Sequence, residues 1–61
     1  MTQKELLYLE NAIGHENSII SICNDSLTNI EDEDLKEFMS EQIKEHEILL
    51  KKLMNELEGL S

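Results

Sequence analysis

Two stripes of apolar residues, each recurring every three or four positions, restrict this chain to a small helical fold. The first stripe runs from Leu6 to Leu27 and the second from Leu35 to Leu60, and an acidic run at 31–34 separates them. Spacings of three and four residues place side chains on one face of an α-helix, and no strand-type alternation is present. The sequence therefore predicts an all-α fold made of two amphipathic helices.

Capping residues predict where the helices begin and end. Thr2 and Glu5 form a capping-box pattern, Asp32 is the expected N-cap of the second helix, and Gly59 is placed to end it. A single domain is predicted over the whole chain, with these bounds: domain 1–61, helix about 3–29, turn about 30–32, helix about 33–58. A turn this short makes the helices antiparallel neighbours, which is a helical hairpin.

Pairing around this turn predicts which residues face each other, since their numbers should sum to about 62. The facing pairs predicted in this way are Leu9–Leu53, Ile13–Leu49, Ile20–Gln42, Cys23–Met39 and Leu27–Leu35. The residues predicted to form the core and dimer seam are Leu9, Ile13, Ile20, Cys23, Leu49 and Leu53. The remaining layer places Glu16 opposite His46, although each lies near the middle of the apolar arc of its helix.

Two interpretations of the Glu16–His46 layer are open at this point. An unpaired buried carboxylate is costly, so the first is a hydrogen bond or ion pair that fixes the helix register, with no cofactor. The second is a divalent metal held by Glu16 and His46 from two hairpins, since carboxylate and imidazole are the ligands of metal sites in bundle cores. Such di-metal sites have a glutamate three residues before each histidine, where this chain has Ile43.

The apolar arcs are wider than a seam between two helices requires, which predicts self-association. In a lone hairpin, several apolar side chains should stay partly exposed to solvent: Ile19, Ile22, Ile43, Leu50 and Met54. A chain of 61 residues also buries only about 60% of its unfolded surface when it folds alone, which leaves it marginally stable. The predicted assembly is a homodimer in which two hairpins form a four-helix bundle.

Charge excludes several classes of partner. Five lysines and no arginine stand against 14 acidic residues, for a formal charge of -9. Such a chain lacks the basic groups that neutralise phosphates, and anionic membranes repel it, so neither nucleic acid nor membrane is an expected partner. The first residues show no signal-peptide layout, and the lone Cys23 excludes an intrachain disulfide, so synthesis in the cytoplasm is predicted.

Several short motifs resemble those of short clostridial spore coat proteins, which are similar to the coat F family. The motifs that carry the resemblance are Met1-Thr2-Gln3-Lys4-Glu5-Leu6, Leu9-Glu10, Glu16, Cys23, Asp32, Leu35-Lys36, His46 and Leu53-Met54-Asn55-Glu56-Leu57. The resemblance implies a ferritin-like helical hairpin that self-assembles in the spore coat, with other coat proteins as partners and without enzymatic activity. By the same analogy, Glu16 matches the first-helix glutamate of ferritin-like proteins and His46 the second-helix histidine.

Three functions follow from these observations. The first is a non-enzymatic structural or interaction protein of the spore coat type, which self-associates as a helical hairpin. The second is a metal-binding, ferritin-like bundle that uses Glu16 and His46. The third is a small regulatory hairpin of the sporulation pathway, although the Ser-Gln-Glu-Leu-Asp stretch typical of the phosphorelay phosphatases is replaced here by Ser40-Glu41-Gln42-Ile43.

Overall fold

A computed structural model describes residues 1–59 as two long helices packed side by side. Helix α1 spans Gln3–Leu27 and helix α2 spans Glu33–Glu58. The hairpin measures 45 × 14 × 12 Å, so it is a rod two helices wide. Within the described residues there is no strand, which confirms the predicted all-α hairpin.

Helix α1 begins with the predicted capping box. Thr2 is the N-cap: its Oγ1 accepts from the Glu5 N–H at 3.1 Å, and its own N–H donates to Glu5 Oε1 at 3.0 Å. The hydrogen bond from the Thr2 backbone, helped by the Thr2 side chain, lowers the pKa of the exposed Glu5 carboxyl. This stabilising contact is therefore complete above the ordinary pKa of a glutamate and is lost as the pH falls through the lowered value.

Helix α1 ends at Leu27, two residues before the predicted end. Its C-cap, Thr28, donates its hydroxyl to the Asp25 carbonyl at 2.7 Å, and the Asn29 side-chain amide donates to the same carbonyl at 3.2 Å. Threonine and asparagine side chains compete with the backbone for hydrogen bonds, and they favour helix ends for that reason. The connection between the helices is accordingly longer than predicted, at residues 28–32.

Helix α2 begins and ends at the predicted residues. Asp32 is the N-cap, and its Oδ1 accepts from the Leu35 N–H at 2.9 Å. Glu33 and Asp34 follow in the first turn, where the helix dipole favours negative charge. Gly59 is the C-cap, with its N–H directed at the carbonyls of Asn55 and Leu57.

The seam between the helices follows a regular three–four spacing on both sides. In α1 the half-buried residues that repeat in this way are Leu6, Leu9, Ile13, Glu16, Ile20, Cys23 and Leu27. In α2 they are Lys36, Met39, His46, Leu50, Leu53 and Leu57, with Ile43 among them as the one described residue that is buried, at 8% exposure. Such spacing is the geometry of coiled-coil packing.

The structure corrects the face of α2 that was predicted to meet α1. Leu35 and Leu49 were expected opposite Leu27 and Ile13, but they are 46% and 41% exposed. Ile43 was expected to stay partly exposed to solvent, but it is the most buried side chain of the described residues. Helix α2 is rotated about its own axis by roughly 50° from the predicted orientation, which is half of the 100° between successive residues. The prediction used one wide apolar arc, which in fact contains both the residues that contact α1 and the residues that stay exposed.

Gly14 occupies an exposed position in α1, and a methyl group added there would meet no atom within 4 Å. Glycine in a helix interior costs about 1 kcal/mol relative to alanine. The variant Gly14→Ala should therefore raise the free energy of unfolding by about 0.5–1 kcal/mol in urea denaturation. A loss of stability would show that another helix packs closely on Gly14 in solution.

Candidate functional site

The Glu16–His46 pair joins the two helices at the middle of the rod. His46 Nδ1 lies 2.5 Å from Glu16 Oε2, and the two residues are 30 positions apart in the chain. An ionised carboxylate only accepts hydrogen bonds, so the imidazole tautomer that pairs with such a carboxylate is the one with its proton on Nδ1. The predicted pairing of Glu16 with His46, and with it the predicted register, is confirmed.

Partial burial makes this bond stronger than a surface ion pair. The Glu16 side chain is 13% exposed and the His46 side chain is 29% exposed. A hydrogen bond between such groups contributes more than one in water, and leaving either partner alone costs desolvation energy. The pair therefore resists sliding of α2 along α1, because a shift by one helical turn would place Leu50 or the neutral Gln42 amide opposite the carboxylate in place of His46.

One chain supplies too few ligands for the metal site considered from the sequence. Among residues 1–59, no three His, Cys, Asp or Glu side chains come together in a way that could hold an ion. Cys23 is a free, half-buried thiol of the seam, and His15 is exposed on α1, seven residues before Ile22. Glu16 and His46 alone do not fit a metal centre, so further ligands would have to come from a second copy.

A second feature is an apolar surface that α1 and α2 leave uncovered. We call it the free apolar face, and its members are Ile19, Ile22, Leu35, Phe38 and Leu49. Ile22 is 64% exposed and Phe38 is 55% exposed, whereas Ile19 is half-buried at the edge of the seam. Exposed apolar side chains grouped in this way are typical of interaction surfaces.

Helical geometry places these residues on one side of the hairpin. At 100° per residue they lie roughly 50–130° from the contact line of their own helix, in the same rotational sense on both helices. Because the two helices run in opposite directions, the same rotational sense places all five residues on the same side of the hairpin. The opposite side carries mostly polar residues, among them Asn17, Ser21, Asn24, Ser40, Glu47 and Lys51.

The sequence prediction missed the role of Leu35 and Phe38, which it placed in the arc that meets α1. The signal that could have identified them was the width of that arc. A face that packs on one antiparallel neighbour needs only the narrow stripe of a coiled-coil seam. Apolar residues beyond this stripe indicate a second packing partner.

A shallow depression lies on the outer side of α2, lined by Lys44, Glu47, Ile48 and Lys51. These residues all belong to one helix, so no second element encloses the depression. Such an open surface lacks the walls by which binding sites bury a ligand. It offers no candidate ligand site.

Neither helix in residues 1–59 combines the length and apolar character that crossing a membrane requires. Comparison of the chain with protein-family models, curated proteins and solved structures finds no match. The function therefore has to be argued from the Glu16–His46 pair and the free apolar face.

Proposed function

We propose that this chain is a non-enzymatic structural protein of the spore coat type that acts by self-association of its helical hairpin. A second copy covers the free apolar face, and the two hairpins form a four-helix bundle. The observation that carries the proposal is the near absence of a core within one chain, since only Ile43 among the described residues is buried. The free apolar face supplies the missing burial.

The accessible surface supports an interface of ordinary size. The chain exposes 4816 Å², whereas a folded monomer of 7.1 kDa typically exposes about 4,100 Å². The excess of roughly 700 Å² is close to the roughly 800 Å² that each partner buries in a stable interface. Packing two rods side by side removes surface of this kind without a change in the hairpin itself.

The free apolar face can be tested with two neighbouring residues of α2. Leu49 lies on this face, whereas Ile48 lies on the outer side of the helix at 58% exposure. We expect Leu49→Gln to weaken the dimer at least tenfold, which corresponds to about 1.4 kcal/mol, because it places an amide in an apolar interface. The matched control Ile48→Gln should leave the dissociation constant within about twofold of wild type.

Sedimentation velocity over a dilution series measures both constants, and circular dichroism confirms that both variants remain helical. Equal effects of the two substitutions would contradict the assignment of the interface to the free apolar face. Both variants keep the formal charge of -9, so any difference between them reports on packing rather than on charge.

The spore coat assignment is supported by the resemblance of the sequence motifs, not by the fold. It predicts that an antibody against the protein detects it in detergent extracts of purified spore coats. Detection only in the cytosol of the sporulating cell would contradict this part of the proposal and would leave the self-association untouched.

A metal-binding bundle is the second candidate, because the observed Glu16–His46 contact already brings two ligand types together. In a dimer these residues would occur twice, which gives four potential ligands. The candidate predicts stoichiometric zinc, iron or manganese in untagged purified protein, and a higher melting temperature when one of these ions is added. Metal-free protein whose melting temperature does not respond to the ions would exclude it.

A further inference from the structure

We infer that the second copy packs on the free apolar face in the antiparallel orientation, with the turn of one hairpin beside the open end of the other. This inference rests on the proposed self-association and specifies the arrangement of the two copies. Two observations carry it: the uneven charge along the rod and the position of the Glu16–His46 pair at its middle.

Charge is distributed unevenly about the Glu16–His46 pair. The turn half, residues 17–45, contains eight acidic residues and two lysines, for a net charge of -6. The open half, residues 1–16 and 46–61, contains six acidic residues and three lysines, for a net charge of -3. The turn is therefore the strongly negative end of the rod.

The antiparallel orientation brings unlike ends together. It places each -6 half beside a -3 half, whereas a parallel pair places the two -6 halves beside each other. Charges within about 8–10 Å of each other interact at physiological salt, and this range includes the distance between packed helices. Repulsion is thus lower in the antiparallel pair, and like-charge juxtaposition selects against the parallel one.

Full overlap in this orientation places the two-fold axis at the level of Glu16 and His46. We number positions along the rod by the residues of the first half of the chain, from residue 1 at the open end to residue 31 at the turn. The numbers of facing residues sum to about 62, so the midpoint of the rod lies at residue 16, which faces residue 46. An axis across the helices at this level pairs α1 with the α1 of the other copy and α2 with its α2. The two Glu16–His46 pairs then lie at the centre of the bundle.

The free apolar face crosses the axis but lies mostly on its turn side, where Ile19 is also found. Ile22, Leu35 and Phe38 lie toward the turn, and Leu49 lies toward the open end, three levels beyond Glu16. A parallel pair would place the turn-side members of both copies against each other, whereas the antiparallel pair covers them with the open half of the other copy. The charge distribution makes the choice.

Distances between nitroxide labels distinguish the two orientations. Cys23 is replaced by alanine, and a single cysteine is introduced and labelled at an exposed position, in the turn as Glu31→Cys or at mid-length, on the outer side of α1, as Ser18→Cys. In the antiparallel dimer the turn labels should lie about 45 Å apart, because 15 residues of 1.5 Å rise separate each from the axis. The mid-length labels should lie below about 25 Å, as labels on two packed helices do.

Measurements at the two label sites distinguish a dimer of the wrong orientation from the absence of a dimer. Turn labels closer than about 25 Å, with mid-length labels also close, would show a parallel dimer and overturn the inference while the self-association stands. Loss of dipolar coupling at both sites, in protein that sediments at the monomer mass, would overturn the self-association and the inference with it. Sedimentation of each unlabelled variant confirms that the substitutions themselves do not change the assembly.

Discussion

Ile43→Ala should lower the free energy of unfolding by about 2–5 kcal/mol, the largest loss of any single truncation in the seam. Ile43 is the most buried side chain of the described hairpin, at 8% exposure, so its removal leaves a cavity between the helices. A domain of 61 residues has a total stability of only about 3–9 kcal/mol. The variant should therefore be unfolded in part at 37 °C.

Ile48→Ala is the matched control for this experiment, since it makes the same substitution in the same helix at a residue that is 58% exposed. Alanine has the higher helix propensity, so the control should be neutral or stabilising by a few tenths of a kcal/mol. Urea denaturation at a fixed chain concentration measures both, because the stability of a dimer depends on concentration. Similar losses in the two variants would contradict the rotation of α2 seen in the structure.

The second large effect is expected at the Glu16–His46 pair. His46→Leu should cost about 1.5–3 kcal/mol, because it leaves the Glu16 carboxylate, only 13% exposed, without its donor. The double variant Glu16→Leu with His46→Leu should recover this loss or exceed wild-type stability, since two apolar side chains of suitable size need no partner. Urea denaturation of both singles and the double completes a double-mutant cycle.

Ser18→Leu serves as the control for placing a leucine at a polar position, because Ser18 is exposed on the outer side of α1, two residues from Glu16. It should change the free energy of unfolding by less than about 0.5 kcal/mol. A coupling energy near zero in the Glu16–His46 cycle would mean that the two side chains do not interact in solution. A double variant less stable than His46→Leu would argue against the register that the pair defines.

The starts of both helices, the end of α2 and the register were predictable from the sequence because single residues determine them. Thr2 and Asp32 accept hydrogen bonds from amides that have no partner within the helix, and this local chemistry is independent of tertiary packing. The register was predictable since Glu16 and His46 each needed a polar partner in an apolar arc. The early end of α1 was missed because Thr28 and Asn29 both bond to the Asp25 carbonyl, a competition that periodicity does not show.

The rotation of α2 could not be predicted in the same way. Hydropathy shows that Leu35, Phe38 and Leu49 prefer burial, but it does not say which neighbour buries them. The prediction took the middle of an arc that contains these residues together with Ile43 and Leu50. The predicted contact line on α2 was therefore displaced toward the free apolar face. Only the packing of the two helices separates the residues that face α1 from those that remain exposed.

Sedimentation equilibrium of the untagged protein at micromolar concentration tests self-association most directly. The account predicts a mass of about twice the 7.1 kDa of the chain, with tighter association at higher salt because screening weakens repulsion between copies that each carry a charge of -9. A stable, folded species at 7.1 kDa across the concentration range would contradict it, since the free apolar face would then remain in water.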